Sequence, residues 1–138
     1  FKKVGITFTR KAVEKAIQAG LLTSCESVLL GGLGVALARK AVAGQLGMDI
    51  SLENLPVKGE VTRPDHLLFS ESQGRLIMSI NPAKKDEFEA LFTDLPLAQI
   101  GTVREDEKFT LTDLEGQTVI DTDTSTLDKN YRLTFKGF

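Results

Sequence analysis

Three side chains able to bind an anion lie close together in the segment Leu67–Arg75, LLFSESQGR. Ser70 and Ser72 offer hydroxyl groups, and Arg75 offers a planar fork of N–H donors that matches the geometry of a phosphate. The segment leads into a run of residues typical of a β-strand. We therefore predict a phosphate-binding cluster at Ser70, Ser72 and Arg75. An ordinary polar turn with serine caps explains the same residues, and this alternative stays open.

A second candidate is the glycine-rich turn Leu29–Gly34, LLGGLG, which is expected between a strand and a helix. Glycines let a backbone approach a ligand closely, and the free N–H groups at the start of a helix favour an anion. Gly31 and Gly32 are therefore predicted to contact phosphate, although a purely structural turn is as good an explanation. The glycine spacing is neither that of a dinucleotide-binding fold nor that of a P-loop.

The remaining candidates favour structural roles. His66 is the only histidine; it precedes an apolar pair and has no obvious acid or nucleophile partner. Cys25 lies in a predicted buried strand and is expected to be a small core residue. Asp121, Asp123 and Asp128 lack the glycine and the terminal glutamate of a calcium loop, so they are predicted to be turn and cap residues. We predict no catalytic residue and no metal ligand in the chain.

The composition is that of a globular protein and excludes several functions. The 138 residues fit one domain, and 17 Lys and Arg against 19 Asp and Glu leave no cationic surface for nucleic acid. The longest apolar run, Val28–Ala38, is too short to cross a membrane. A single cysteine fits a reducing cytoplasm. Because the chain begins with Phe1 rather than Met, we expect residues upstream of it to be missing.

Periodicity predicts helices and strands that alternate early in the chain, with strands clustered later. This order indicates an α+β fold with a mixed sheet rather than a doubly wound parallel sheet. Glu115-Gly116 suggests a tight hairpin, and Thr124 or Ser125 is predicted to cap the last helix. The predicted helices are Arg10–Ala19, Val35–Ala43, Pro82–Phe92 and Ser125–Thr134; the predicted strands are Leu21–Val28, Met48–Leu52, Arg75–Ile80, Ala98–Val103, Lys108–Leu114 and Gln117–Ile120.

Both candidate segments resemble the phosphoribosylformylglycinamidine synthase family. SCESVLLGGLGVALARKAVAG is similar to a family stretch that reads Ser-x-His-Asp-x-Ser-Asp/Glu-Gly-Gly-Leu and continues into an alanine-rich helix ending in Ala-Gly. Leu68–Arg75 matches the family's Leu-Phe-Ser-Glu-Ser-x-x-Arg. QIGTV at Gln99–Val103 is similar to its Ile-Gly-x-Val strand, and the final LDKNYRLTFKGF is similar to its closing helix. The resemblance extends from Lys11 over essentially the whole chain.

The resemblance implies a three-layer α/β/α domain of the AIR-synthase C-terminal type, with residues 1–138 forming one domain of a larger enzyme. It implies an ATP- and magnesium-dependent ligase that amidates formylglycinamide ribonucleotide with ammonia from glutamine. The expected partners are the N-terminal domains of the same enzyme, a glutaminase subunit or domain, a small accessory subunit and a possible second copy. Neither nucleic acid nor a membrane is among them.

The departures from the family pattern matter as much as the matches. Glu26-Ser27 stands where the family has His-Asp, and Leu29-Leu30 where it has Ser-Asp/Glu. Magnesium needs hard oxygen ligands, which leucine lacks. We therefore expect no nucleotide or metal to be held by side chains of this chain. Two alternatives stay open: a non-catalytic scaffold with a degenerate nucleotide site, and another member of the superfamily, such as aminoimidazole ribonucleotide synthetase or a hydrogenase-maturation or selenophosphate relative. The Leu-Phe-Ser-Glu-Ser segment argues against the latter.

Overall fold

A computed structural model describes residues 5–57 and 59–133, with side chains from Thr9 onward. In chain order the elements are α1 (Gly5–Gln18), β1 (Leu22–Ser27), α2 (Gly32–Gly44), β2 (Gly47–Ser51), α3 (Pro64–Phe69), β3 (Leu76–Ile80), a 3-10 turn (Pro82–Lys84), α4 (Lys85–Ala90), β4 (Gly101–Arg104), β5 (Lys108–Thr112), β6 (Thr118–Asp123) and α5 (Thr124–Leu133).

These elements form two compact units. The first contains the described residues up to Leu29 together with Ser72–Leu97, and the second contains Leu30–Glu71 and the described residues from Ala98 onward.

The core of the first unit lies between α1 and the α4 region. Ala12 and Ala16, one helical turn apart, are buried with Phe88 and Phe92. The two phenylalanine rings tilt against each other with centroids 4.7 Å apart. Strands β1 and β3 pair antiparallel in this unit. Phe88 and Phe92 thus form the buried side of the α4 region.

Cys25 contradicts its prediction. It lies on β1, as expected, but is exposed rather than part of the core. Strand β1 alternates little in polarity, and its central residues, Thr23 to Cys25, all face solvent. Apolar composition alone was therefore a poor guide to burial here.

The second unit is built on a four-stranded mixed sheet in the order β4-β2-β5-β6. Strand β2 runs parallel to β5 and antiparallel to β4, while β5 and β6 form an antiparallel hairpin. Alternate residues Met48, Ile50, Phe109 and Leu111 are buried, as expected for a sheet with one covered face. Helix α2 packs against α3 and α5. The predicted α+β class is confirmed, and so is the hairpin turn, where Gly116 has φ +79°.

Several boundaries differ from the predictions for local reasons. Helix α2 begins at Gly32, three residues earlier than predicted, so two of the glycines lie inside its first turn. Helix α3 was not predicted at all, since its six residues are too few to show a helical period. Helix α5 is capped by Asp123, whose carboxylate accepts from the Thr126 N–H at 2.6 Å, rather than by Thr124 or Ser125. The predicted end of that helix, Thr134, lies outside the described residues.

No helix within the described ranges is long and apolar enough to cross a membrane.

Candidate functional site

The glycine-rich turn is closed by a carboxylate of this chain. Gly31 precedes α2 in a left-handed conformation, with φ +81°. Its backbone N–H donates a 2.8 Å hydrogen bond to Oε1 of Glu71, forty residues further along the chain. A carboxylate at the start of a helix is favourable because the helix dipole is positive there. The anion that the turn binds in this structure is therefore an internal one.

Gly32 makes its close backbone approach to α3. A β-carbon on residue 32 would lie 2.5 Å from the carbonyl oxygen of Leu68 and 2.7 Å from that of Ser70. Gly32 also has φ +70°, which residues with side chains rarely adopt. Only glycine fits this position, because the end of α3 fills the space beside it.

Of the five predicted phosphate contacts, Gly31, Gly32 and Ser70 lie together in the second unit. Ser70 ends α3 in an extended conformation, φ −63° and ψ 134°. It follows Leu68, which is buried, and Phe69, which is 57% exposed. The carbonyl of Ser70, rather than its hydroxyl, faces Gly32.

Ser72 and Arg75 lie together in the first unit. The Arg75 Nε donates to the backbone carbonyl of Ser72 at 3.4 Å, across a turn in which Gly74 has φ +84°. The Arg75 carbonyl accepts from the N–H of Val28 at 3.0 Å, which fixes the entry to β3. Burial lowers the pKa of the Arg75 guanidinium from its usual value.

Two of the four positions where the family pattern has polar residues are apolar and solvent-exposed. Leu29 is 61% exposed and Leu30 is 77% exposed. Glu26 lies on β1, opposite Ile77 of β3. The part of the chain that the structure describes holds no cluster of three or more His, Cys, Asp or Glu that could bind a metal. The residues at this turn do not fit a magnesium ion, because exposed leucine side chains supply no oxygen ligand.

Sequence reasoning missed a polar network on the open face of the second unit's sheet. The Arg104 guanidinium donates to Asp49 Oδ2 at 2.6 Å and holds both oxygens of Asp106, at 2.7 and 2.8 Å. Thr110 donates its hydroxyl to the other oxygen of Asp49. The Thr110 hydroxyl and then Arg104 lower the pKa of Asp49. Asp49 stands between the buried residues Met48 and Ile50 on β2. This alternation could have indicated that Asp49 lies on the open face of the sheet.

This network borders an open depression of about 560 Å³ on the same face. Its polar lining includes Ser51, Asn54, Gln99, Thr102 and Thr112. Its one carboxylate, from Asp49, is already paired with Arg104. The depression is hydroxyl-rich and has no surplus positive charge, so it does not resemble a phosphate site.

His66 and the three aspartates that the sequence analysis considered individually lie at ordinary positions on the surface. His66 is exposed on α3. Asp121 lies on β6, 3.9 Å from the Lys108 ammonium, and Asp128 lies inside α5 and pairs with Arg132 one turn along at 2.8 Å. Neither is the turn or cap residue that was predicted. Asp123 is a cap residue, as predicted.

The glycine turn, the α3 segment docked on it and the mixed sheet define an α+β domain. The chain belongs to the family described as AIR synthase related protein, C-terminal domain, whose sequence profile matches residues 8–114.

A curated relative is the phosphoribosylformylglycinamidine synthase subunit PurL of Caldanaerobacter subterraneus subsp. tengcongensis. It is 32% identical over 125 residues, which cover 89% of this chain and 16% of the relative. The chain spans less than a fifth of the length of the curated relatives it matches.

Solved structures share the fold. T. maritima PurL complexed with ATP has a TM-score of 0.79 at 20% identity, covering 88% of this chain and 21% of that one. The same protein complexed with FGAR has a TM-score of 0.78 at 19% identity, covering 88% and 20%. E. coli HypE, a hydrogenase maturation protein, has a TM-score of 0.63 at 21% identity, covering 83% and 39%.

Proposed function

We propose that residues 1–138 form one domain of an ATP-dependent ligase that converts formylglycinamide ribonucleotide to its amidine in purine biosynthesis. The observation that carries this proposal is the match to a phosphoribosylformylglycinamidine synthase subunit along 89% of the chain. The related hydrogenase maturation protein has a lower TM-score than the ATP-bound PurL structure, which favours the purine enzyme over this alternative.

The contribution of this domain is to bind the substrate phosphate through Ser70, Ser72 and Arg75. Arg75 supports this role because its guanidinium is partly buried and lies beside the Ser72 backbone. Gly31 and Gly32, the two other predicted phosphate contacts, lie in the second unit and hold the segment that ends in Ser70. ATP and magnesium belong to the parent enzyme, and other domains supply the side chains that bind them.

The proposed partners follow from the same assignment. They are the N-terminal domains of the enzyme, a glutaminase subunit or domain and a small accessory subunit. A second copy of the chain is a further proposed partner. The proposed location is the cytoplasm. The small share of each relative that this chain covers supports the need for further domains.

A second candidate function is a scaffold domain whose own nucleotide site has decayed. The exposed Leu29 and Leu30, together with the occupation of the Gly31 N–H by Glu71, favour it. The two functions differ in whether this domain contacts substrate.

Steady-state kinetics of the full-length enzyme carrying Arg75→Ala separate them. A charge-assisted hydrogen bond contributes about 1.5–3 kcal/mol, so the ligase role predicts a KM for formylglycinamide ribonucleotide raised about 10- to 100-fold. Arg132→Ala, on the exposed face of α5, is the matched control and leaves KM unchanged. An unchanged KM in Arg75→Ala supports the scaffold instead.

A further inference from the structure

Glu71 makes an unusual contact for an exposed acidic residue. It stands between the two serines of the proposed phosphate-binding segment, yet its carboxylate accepts a hydrogen bond from the Gly31 N–H at 2.8 Å. An ionised carboxylate facing the substrate would repel a phosphate. At the positive end of α2, which has 13 residues, the same charge is stabilised by the helix dipole instead. The hydrogen bond therefore directs the Glu71 carboxylate, which would repel a phosphate, to the start of α2, where its charge is stabilised.

A second contact fixes the same segment from the backbone side. The carbonyl of Ser70 lies where a β-carbon of residue 32 would be 2.7 Å away. Helix α3 ends at Phe69, and Ser70 is already extended, so the helix itself no longer determines the path of the chain. The Gly32 packing and the Glu71 hydrogen bond are two contacts that hold Ser70 and Glu71 on the start of α2.

We propose that Glu71 is a positioning residue: its hydrogen bond to Gly31 holds the neighbouring Ser70 in the conformation in which Ser70 contributes to binding the substrate phosphate. The inference rests on the proposed function, because it names the residue that orients the same site. Glu71 itself does not touch the substrate. To bond the Gly31 N–H, residue 71 needs an acceptor oxygen at the end of a side chain as long as that of glutamate. Glutamine has such an oxygen and alanine does not.

The contact is tested first in the 138-residue chain, by amide hydrogen exchange at Gly31. Glu71→Ala is expected to speed exchange at Gly31 about tenfold, since the N–H loses its acceptor, while Glu71→Gln keeps most of the protection. Glu60→Ala removes an exposed glutamate of the same unit and serves as the control. Equal exchange in wild type and Glu71→Ala overturns the proposal.

The consequence is tested in the full-length enzyme. Glu71→Ala is expected to raise the KM for formylglycinamide ribonucleotide about tenfold with kcat and the KM for ATP unchanged, and Glu71→Gln to restore it. A fall in kcat without a change in KM would indicate general loss of folded enzyme and would overturn the positioning role.

The Arg75→Ala variant separates the two proposals. If Arg75→Ala raises KM and Glu71→Ala does not, the phosphate site stands and the role of Glu71 is wrong. If neither variant changes KM, there is no phosphate site for Glu71 to orient, and both proposals fail.

Discussion

The α-carbon of Gly32 faces the carbonyl oxygen of Leu68 so closely that a β-carbon on residue 32 would lie 2.5 Å from it. Real β-carbons do not approach a backbone oxygen to that distance, so helix α3 and the start of α2 meet only because residue 32 has no side chain. Gly32 also has φ +70°, a conformation that costs other residues about 1–2 kcal/mol. The position is thus constrained twice, by backbone conformation and by packing.

Gly32→Ala is accordingly expected to lower the free energy of unfolding by about 3 kcal/mol or more. The conformational cost and the displacement of the end of α3 both contribute. The measurement is urea unfolding followed by circular dichroism.

Gly116→Ala is the matched control for this substitution. Gly116 has a similar φ, +79°, but nothing lies within 4 Å of the β-carbon that alanine would add. Gly116→Ala should lower the free energy of unfolding only by the cost of the backbone conformation, about 1–2 kcal/mol. Equal losses in the two variants would show that the close contact with Leu68 does not matter.

The contrast between α2 and α3 shows which parts of the fold the sequence could predict. Helix α2 has 13 residues and an alanine-rich period, so its existence was evident, although its start at Gly32 was not. Helix α3 has six residues, of which Leu67, Leu68 and Phe69 are consecutive and apolar, so no period appears. Its stability comes from packing against α2, which is a tertiary effect that local sequence does not show.

The candidate site was predictable only in part, for a similar reason. The residue types of Ser70, Ser72 and Arg75 predict a phosphate site, and this stays a prediction. Nothing in the spacing indicates that Glu71 would bond to the N–H of Gly31, because that contact joins positions forty residues apart. The glycine at position 32 was predicted to let the backbone come close to a ligand. In the structure, the backbone at Gly32 comes close to the end of α3.

The Asp49–Arg104 pair predicts a dependence of stability on acid. The Thr110 hydroxyl and Arg104 hold the pKa of Asp49 below its ordinary value of 3.8. A group with a lowered pKa in the folded state stabilises the protein above its ordinary pKa, and this contribution is lost as the pH falls through the lowered value. Asp49→Asn should therefore reduce stability at neutral pH, with the difference from wild type shrinking below about pH 4.

Thermal unfolding of wild type and Asp49→Asn across this pH range checks the prediction. The effect should be modest, because the Asp49 side chain is 45% exposed and water screens its charge. A constant difference between Asp49→Asn and wild type at every pH would exclude ionisation of Asp49 as the cause.

The 138-residue chain on its own is expected to turn over no substrate. Phosphoryl transfer requires groups that position the nucleotide and neutralise the developing charge, and the described residues form no cluster of metal-binding side chains. The purified chain would be supplied with ATP, magnesium, ammonia and formylglycinamide ribonucleotide, and ADP would be measured against a blank without protein. ADP formation above the blank would show that the chain carries a complete active site.

The turn Glu26–Gly34 is expected to bind no magnesium nucleotide through its side chains. In the family pattern an Asp and a Ser–acid pair stand where this chain has Ser27, Leu29 and Leu30. Both leucines are exposed and supply no oxygen to a metal. Glu26 is the one carboxylate left in the turn, at a position that belongs to a histidine in the family, so it need not point the same way.

Isothermal titration of the chain with magnesium ADP, run beside inorganic phosphate alone, tests this expectation. At this turn phosphate is expected to bind weakly at most, since the Gly31 N–H that would receive it is already bonded to Glu71 at 2.8 Å. Magnesium ADP should bind no more tightly than phosphate, because the side chains of the turn add no metal ligand. Glu26→Gln provides the decisive comparison, as it removes the remaining carboxylate while keeping its shape. Micromolar binding of magnesium ADP that weakens in Glu26→Gln would mean that the turn has rebuilt a metal site around Glu26.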